Sequence, residues 1–142
     1  DHCVTGVQTC ALPIYFGDMM ATFAEIAGAK TPEKLDSISI APTLLGRGEQ
    51  AKHAHLYWEF YEGGVSQAVL LDGHWKGIRL KNPSAPVQLF DLASDIAEQT
   101  NVAEKHPDIV AHITSLMQSE HVDNEHWKLA GKVGQGAKPK QN

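Results

Sequence analysis

The chain has 142 residues, of which 42% are hydrophobic and 20% charged, a composition typical of a globular domain. This length can bury one modest core but is short for two. The formal net charge of -5 argues against a nucleic-acid surface, which needs clustered Lys and Arg side chains. No apolar run approaches the length of a membrane span, so we predict neither a nucleic-acid partner nor a membrane segment.

The first residues look like an artefact of sequencing. Residues 4–14 match, position by position, the translation of a common sequencing-library adapter. We therefore expect residues 1–14 to be an artefact and exclude them from the fold prediction. Cys3 and Cys10 fall in this segment, and no second cysteine pair follows, so we predict no functional cysteine.

Two short helices are predicted next. Residues 18–27 repeat apolar side chains at helical spacing, with Asp18 as the N-cap and Gly28 positioned to end the helix in the left-handed conformation. The apolar face consists of Met19, Phe23, Ile26 and Ala27. Residues 42–46 begin with Pro and end with Gly, which is typical of a single helical turn.

Four short strands follow, each rich in aromatic and branched residues and bounded by Gly, Pro, Asn or Asp. We predict them at residues 53–60, 65–71, 75–80 and 87–92. Asp72-Gly73 lies between the second and third strands and is a strong signal for a tight hairpin turn. The order predicts an antiparallel meander.

A final helix is predicted to begin at His106-Pro107, because Pro fits the first turn of a helix. Its apolar stripe consists of Ile109, Val110, Ile113, Leu116 and Met117. We expect this stripe to pack on one face of the sheet. The predicted fold class is therefore α+β, a four-stranded antiparallel sheet with a packed C-terminal helix. Residues 128–142 are polar and predicted to be a disordered tail.

The order of these segments resembles the C-terminal part of arylsulfatase-type sulfatases. The matching segments are the helix with Ala27-Gly28, Asp36-Ser37-Ile38-Ser39, Pro42-Thr43-Leu44-Leu45-Gly46, Tyr57-Trp58-Glu59, Gln67-Ala68-Val69, Gly73-His74-Trp75-Lys76 and Leu89-Phe90-Asp91-Leu92. The resemblance runs from residue 18 to about residue 127. It implies that residues 15–50 are a remnant of an alkaline-phosphatase-like catalytic α/β domain and that residues 51–127 are the C-terminal sulfatase subdomain.

Three departures from the family lie in loops or near the predicted cleft. The family usually has Asp-Gly in place of Asp36-Ser37, and an Arg in place of Leu70-Leu71. It often has Asp-Pro-x-Glu where residues 95–98 stand. These departures affect loops and substrate contacts, and they leave the strand order unchanged.

The resemblance implies hydrolysis of sulfate esters by chemistry that lies outside this chain. Such sulfatases use a formylglycine made from a Cys/Ser-x-Pro-x-Arg motif and a divalent cation, usually calcium. The nearest match, residues 84–88, has Gln in place of the Arg. We expect no catalytic and no metal-binding residue here, and no activity of the chain alone.

The resemblance also bears on the substrate and the location of the whole enzyme. It implies a sulfated small molecule or sulfated carbohydrate as the substrate, and a periplasmic or secreted location.

The hairpin between the first two strands is where we expect substrate contact. Glu59, Tyr61 and Gln67 flank it, and Lys76 on the third strand could line the same cleft. The structural alternative is that Glu59 faces outward and pairs with Lys76 or Arg79 across the sheet.

A free-standing binding module is the alternative to a sulfatase part. Trp58 and Trp75 could form a platform for a carbohydrate, or the same face could dock on a protein partner. Strand tryptophans are more often core residues, so we expect at least one of the two in the core.

Two groups of histidines have spacings that suggest metal ligands. His53 and His55 share one face of a strand and could form half of a metal site, but an exposed polar edge is the favoured interpretation. His121, Glu125 and His126 form a loose cluster, which we do not favour because residues five apart do not share a helix face well.

Overall fold

The computed structural model of the chain describes residues 15–33, 35–123 and 125. These residues belong to two compact units that divide between Ala54 and His55. The predicted artefact at residues 1–14 and the predicted tail at residues 128–142 lie outside the described residues. Within the described ranges, no helix is long and apolar enough to cross a membrane.

The first unit contains two helices, α1 (Met19–Ala27) and α2 (Ala41–Leu45), with a 3₁₀ turn at Phe16–Asp18 before α1. Both helices end at a glycine in the left-handed region, Gly28 with φ 66° and Gly46 with φ 62°. At each end, backbone N–H groups donate hydrogen bonds to carbonyl groups of the last helical turn. The two predicted helices and their glycine ends are confirmed.

Asp18 is buried and does not cap α1 with its side chain. Its carboxylate accepts a hydrogen bond from the Ile38 N–H at 3.0 Å and lies 2.8 Å from His53 Nε2. The predicted capping role is therefore wrong, because the loop and His53 supply the donors that a buried carboxylate needs. The exposed polar edge predicted for His53 is wrong for the same reason.

The apolar face predicted for α1 points mostly to solvent. The buried positions of α1 are Ala21 and Thr22, whereas Phe23 is 62% and Ile26 is 52% exposed. The helix thus buries its small residues and presents its large ones.

The second unit is a four-stranded antiparallel sheet covered by one helix. The strands are β1 (His55–Phe60), β2 (Ser66–Leu71), β3 (Trp75–Arg79) and β4 (Gln88–Asp91), in the order β1-β2-β3-β4, and the helix is α3 (Pro107–Ser119). Asp72 and Gly73 have φ of 51° and 75°, as a tight hairpin turn requires. The predicted strands, turn and final helix are confirmed.

The core of this unit lies between α3 and one face of the sheet. Its members are Val69, Leu71, Val87, Leu89, Ile113 and Met117. Trp75 packs against this core, whereas Trp58 is 38% exposed. The prediction that at least one of the two tryptophans belongs to the core is therefore confirmed by Trp75. Strand alternation places the two tryptophans on opposite faces, which rules out the alternative of a shared tryptophan platform.

A glycine of β3 allows α3 to approach the sheet closely. A Cβ at Gly77 would lie 2.5 Å from Ile113 Cγ2 and 3.3 Å from Val87 Cγ1. No side chain fits in that space, so Ile113 packs directly on the backbone of β3.

We expect Gly77→Ala to lower the free energy of unfolding by about 1–3 kcal/mol, because the added methyl group would overpack the contact with Ile113. Denaturant unfolding followed by circular dichroism measures the change. In an Ile113→Ala background the same substitution should cost less, because the shortened side chain leaves room. Additive losses in the double variant would contradict the close approach.

Candidate functional site

A row of polar side chains crosses three strands on the face that α3 covers. The register pairs Glu59 of β1 with Gln67 of β2, and Gln67 with Arg79 of β3. Residues paired across strands point to the same face, so these three side chains stand side by side. Gln67 is 1% and Arg79 is 8% exposed, so most of this polar row is interior.

Glu59 receives hydrogen bonds from three side chains. Its carboxylate accepts from the Tyr57 hydroxyl, from the Tyr61 hydroxyl at 2.7 Å and from His121 Nδ1 at 2.6 Å. The tyrosines belong to the first strand and its turn, whereas His121 follows α3. Two distant segments of the chain thus hold one carboxylate.

Gln67 connects this carboxylate cluster to Arg79. Its Nε2 donates to the Tyr57 hydroxyl at 2.8 Å and to the Met117 carbonyl at 3.1 Å, and its Oε1 accepts from Arg79 Nη1 at 3.3 Å. Among the side chains of the described residues, Arg79 Nε is buried without a hydrogen-bond partner. The guanidinium is therefore only partly satisfied, which costs stability in a protein interior.

The protonation states follow from these contacts. Burial alone would raise the pKa of the Glu59 carboxyl, but hydrogen bonds from Tyr57, Tyr61 and His121 outweigh it and hold that pKa below its ordinary value. Burial and the hydrogen bond to Glu59 raise the pKa of Tyr61 to about 12, and the same two causes raise the pKa of Tyr57. At neutral pH, Glu59 is ionised and both tyrosines are donors.

Lys76 lies apart from this cluster. It is three residues from Arg79 on β3 and so points to the opposite face, where its Nζ is 2.5 Å from Glu98 Oε1. The predicted pairing of Glu59 with Lys76 or Arg79 is wrong, because Lys76 faces away and Gln67 stands between Glu59 and Arg79. The structure brings together Glu59, Tyr61 and Gln67 of the four predicted site residues.

Tyr57 and His121 complete the cluster, and sequence reasoning did not select them as site residues. Tyr57 lies two residues before Glu59, so strand periodicity alone places it on the same face. His121 is 62 residues from Glu59 along the chain. No spacing signal links residues that far apart, and the contact depends on how α3 docks.

Comparison with known proteins identifies the family. The sequence profile described as N-sulphoglucosamine sulphohydrolase, C-terminal, matches residues 11–125. The chain belongs to this sulfatase family. Human arylsulfatase K is 33% identical over 127 residues, which cover 83% of this chain and 23% of that protein. N-acetylgalactosamine-6-O-sulfatase of Bacteroides thetaiotaomicron is 34% identical over 117 residues, which cover 72% of this chain and 22% of that protein.

A solved structure of a 2-O GAG sulfatase superposes on this sulfatase domain with a TM-score of 0.62 and 26% identity, covering 72% of this chain and 23% of the other. The sheet and C-terminal helix are therefore those of sulfatases in the alkaline-phosphatase-like superfamily, as the resemblance implied. The chain spans less than a quarter of the length of these curated relatives.

The described residues of this sulfatase domain do not fit a metal centre. No three His, Cys, Asp or Glu side chains in residues 15–33, 35–123 and 125 are grouped to hold an ion. His55 lies 3.3 Å from Glu120, and both nitrogens of His121 face carboxylates, whereas His126 lies outside the described residues. No catalytic step through calcium can be derived from these residues.

We expect Tyr57→Phe to destabilise the sulfatase domain by about 1–2 kcal/mol, because its hydroxyl serves both Glu59 and the buried Gln67. The pKa of Glu59 should also rise, since a donor is lost. Denaturant unfolding and an NMR titration of the Glu59 carboxyl measure both effects. Tyr61→Phe is the matched control, which removes a donor to Glu59 but leaves Gln67 bonded. A stability loss as large in the control would contradict the linking role of Tyr57.

Arg79→Met removes a buried and poorly satisfied charge but also leaves Gln67 Oε1 without its donor. Because these two effects oppose each other, the free energy of unfolding should change by at most about 1 kcal/mol. Thermal and denaturant unfolding provide the measurement. Lys76→Met, which breaks the ion pair on the opposite face, should change stability by at most about 1 kcal/mol. A large loss of stability in Arg79→Met alone would contradict this balance, because it would show that the hydrogen bond to Gln67 outweighs the cost of burying the guanidinium.

Proposed function

We propose that this chain is the C-terminal part of a sulfatase that hydrolyses sulfate esters. In the whole enzyme it would complete the fold and form a wall of the substrate cleft, while the catalytic residues belong to other parts of the protein. The observation that carries this proposal is the family match over residues 11–125, in a sequence without a Cys/Ser-x-Pro-x-Arg motif. Formylglycine and calcium would belong to the rest of the enzyme, and a periplasmic or secreted location stays a prediction.

We further propose a sulfated carbohydrate as the substrate class. The names of two relatives, N-acetylgalactosamine-6-O-sulfatase and 2-O GAG sulfatase, support it. The cluster around Glu59 also supports it, because an ionised carboxylate beside two tyrosine hydroxyls is suited to sugar hydroxyl groups.

Glu59 and Tyr61 are the residues that we propose for direct contact. Both lie at the end of β1, beside the β1–β2 turn, and both keep partial exposure. Gln67 is buried with its amide bonded on both sides, so its proposed role is to position Tyr57 and thereby Glu59. Lys76 stays a prediction, which its position on the opposite face does not support.

The first unit is proposed to belong to the catalytic α/β domain of the whole sulfatase. Its helix α1 presents Met20, Phe23 and Ile26, each more than half exposed. A contiguous apolar face of this kind marks a surface that packs against another part of a protein. The rest of the catalytic domain is the partner that we propose for it.

The purified 142-residue chain should not hydrolyse an aryl sulfate, with or without added calcium. In the whole enzyme that contains this segment, Glu59→Gln and Tyr61→Phe should raise KM for a sulfated oligosaccharide about tenfold, because charge-assisted and hydroxyl contacts are lost. Steady-state kinetics on both substrate types measure this effect.

Glu62→Gln is the matched control, since Glu62 is an exposed carboxylate in the same hairpin. It should leave KM unchanged. Calcium-dependent turnover by the chain alone would overturn the assignment of catalysis to the rest of the enzyme. An unchanged KM in both Glu59→Gln and Tyr61→Phe would overturn the proposed contact.

A further inference from the structure

Two histidine–carboxylate pairs join the chain after α3 to β1. His121 Nδ1 lies 2.6 Å from Glu59, and His55 Nε2 lies 3.3 Å from Glu120. The two pairs have opposite polarity, because β1 supplies the histidine of one pair and the carboxylate of the other. His55 and Glu59 are four residues apart on one strand and share its helix-covered face.

The surroundings of His121 favour its charged form. Its Nε2 lies 2.8 Å from Asp123 Oδ1, so carboxylates face both ring nitrogens. Only a doubly protonated imidazolium can donate to both. The side chain is only 10% exposed, which keeps water from competing for these contacts.

We propose that residues 120–123 form a pH-operated clasp, in which protonated His121 holds the chain after α3 against β1 through Glu59. Loss of the His121 proton removes this ion pair and releases the segment. Release uncovers the Glu59 end of the polar row. The clasp and the proposed substrate contact share Glu59, but the clasp consists of contacts within the chain and is measured without any substrate.

The groups around His121 set the pH range of the clasp. β1 contributes Tyr57, Glu59 and Tyr61, and the segment itself contributes Asp123. Glu120 faces His55, and Arg79 reaches the cluster only through Gln67.

The direction of the pH dependence follows from the two pKa shifts. Burial alone would lower the pKa of His121, but hydrogen bonds to Asp123 and Glu59 outweigh it and raise that pKa above the ordinary value of 6.5. The stabilisation is therefore complete below the ordinary value and is lost as pH rises through the raised pKa. Glu59 sets the acidic limit, since its lowered pKa means that the pair is lost only as pH falls below the ordinary range of a carboxyl group.

Amide hydrogen exchange of the 142-residue chain tests the clasp. At about pH 5.5, amides of residues 117–123 should be protected, and at about pH 9 this protection, corrected for intrinsic exchange, should fall about tenfold. The amides of β2 and β3 should keep their protection at both values. An NMR titration should give a pKa of His121 above its ordinary value.

His121→Gln should remove the pH dependence and leave residues 117–123 weakly protected at both pH values. His112→Gln, on an exposed position of α3, is the matched control and should behave as the unchanged chain does. Asp123→Asn removes an exposed partner without touching the core, so it keeps the test decisive if His121→Gln does not fold. It should lower the pKa of His121 measured by NMR.

Three results would overturn the clasp. The first is protection of residues 117–123 that does not change with pH. The second is the same pH dependence in His121→Gln. The third is a pKa of His121 that does not respond to Asp123→Asn.

Discussion

The packing of α3 directly on the backbone of β3 is the constraint on which the second unit depends. Gly77 leaves the space that Ile113 occupies, and any side chain there would push the helix away. This docking buries Ile113 and Met117 in the core and brings the Met117 carbonyl to Gln67. It also delivers the chain after α3 to β1, where His121 meets Glu59. The absence of a side chain at Gly77 thus allows one docked position of α3 that forms both the core and the polar cluster.

The polar row is an unusual use of the space between a helix and a sheet. A buried amide and a buried guanidinium stabilise less than apolar side chains of the same size would, and Arg79 is only partly satisfied. The docked position of α3 supplies one partner of the buried Gln67 amide, since its Nε2 donates to the Met117 carbonyl. Within the second unit, this network holds the end of β1 and the Glu59 carboxylate in place.

Much of the fold could be predicted from the sequence because the signals are local. Alternation of apolar residues and the Asp72-Gly73 turn predict the strands of the sheet, and glycines in left-handed conformations mark the ends of α1 and α2. The failures occur where a side chain contacts a distant part of the chain. Asp is a residue type typical of an N-cap, but the Asp18 carboxylate is hydrogen-bonded to the Ile38 N–H and to His53 instead.

Local sequence patterns are enough to establish the type and order of the elements, the sulfatase resemblance, and the shared face of Tyr57 and Glu59. The folded chain was needed to show that Lys76 faces away and pairs with Glu98, and that His121 reaches Glu59. Strand register and helix docking set these contacts, and both depend on how residues far apart in sequence fill a common space. A sequence pattern does not describe that three-dimensional packing. Some of the site residues could therefore be predicted, but their hydrogen-bond and ion-pair partners could not.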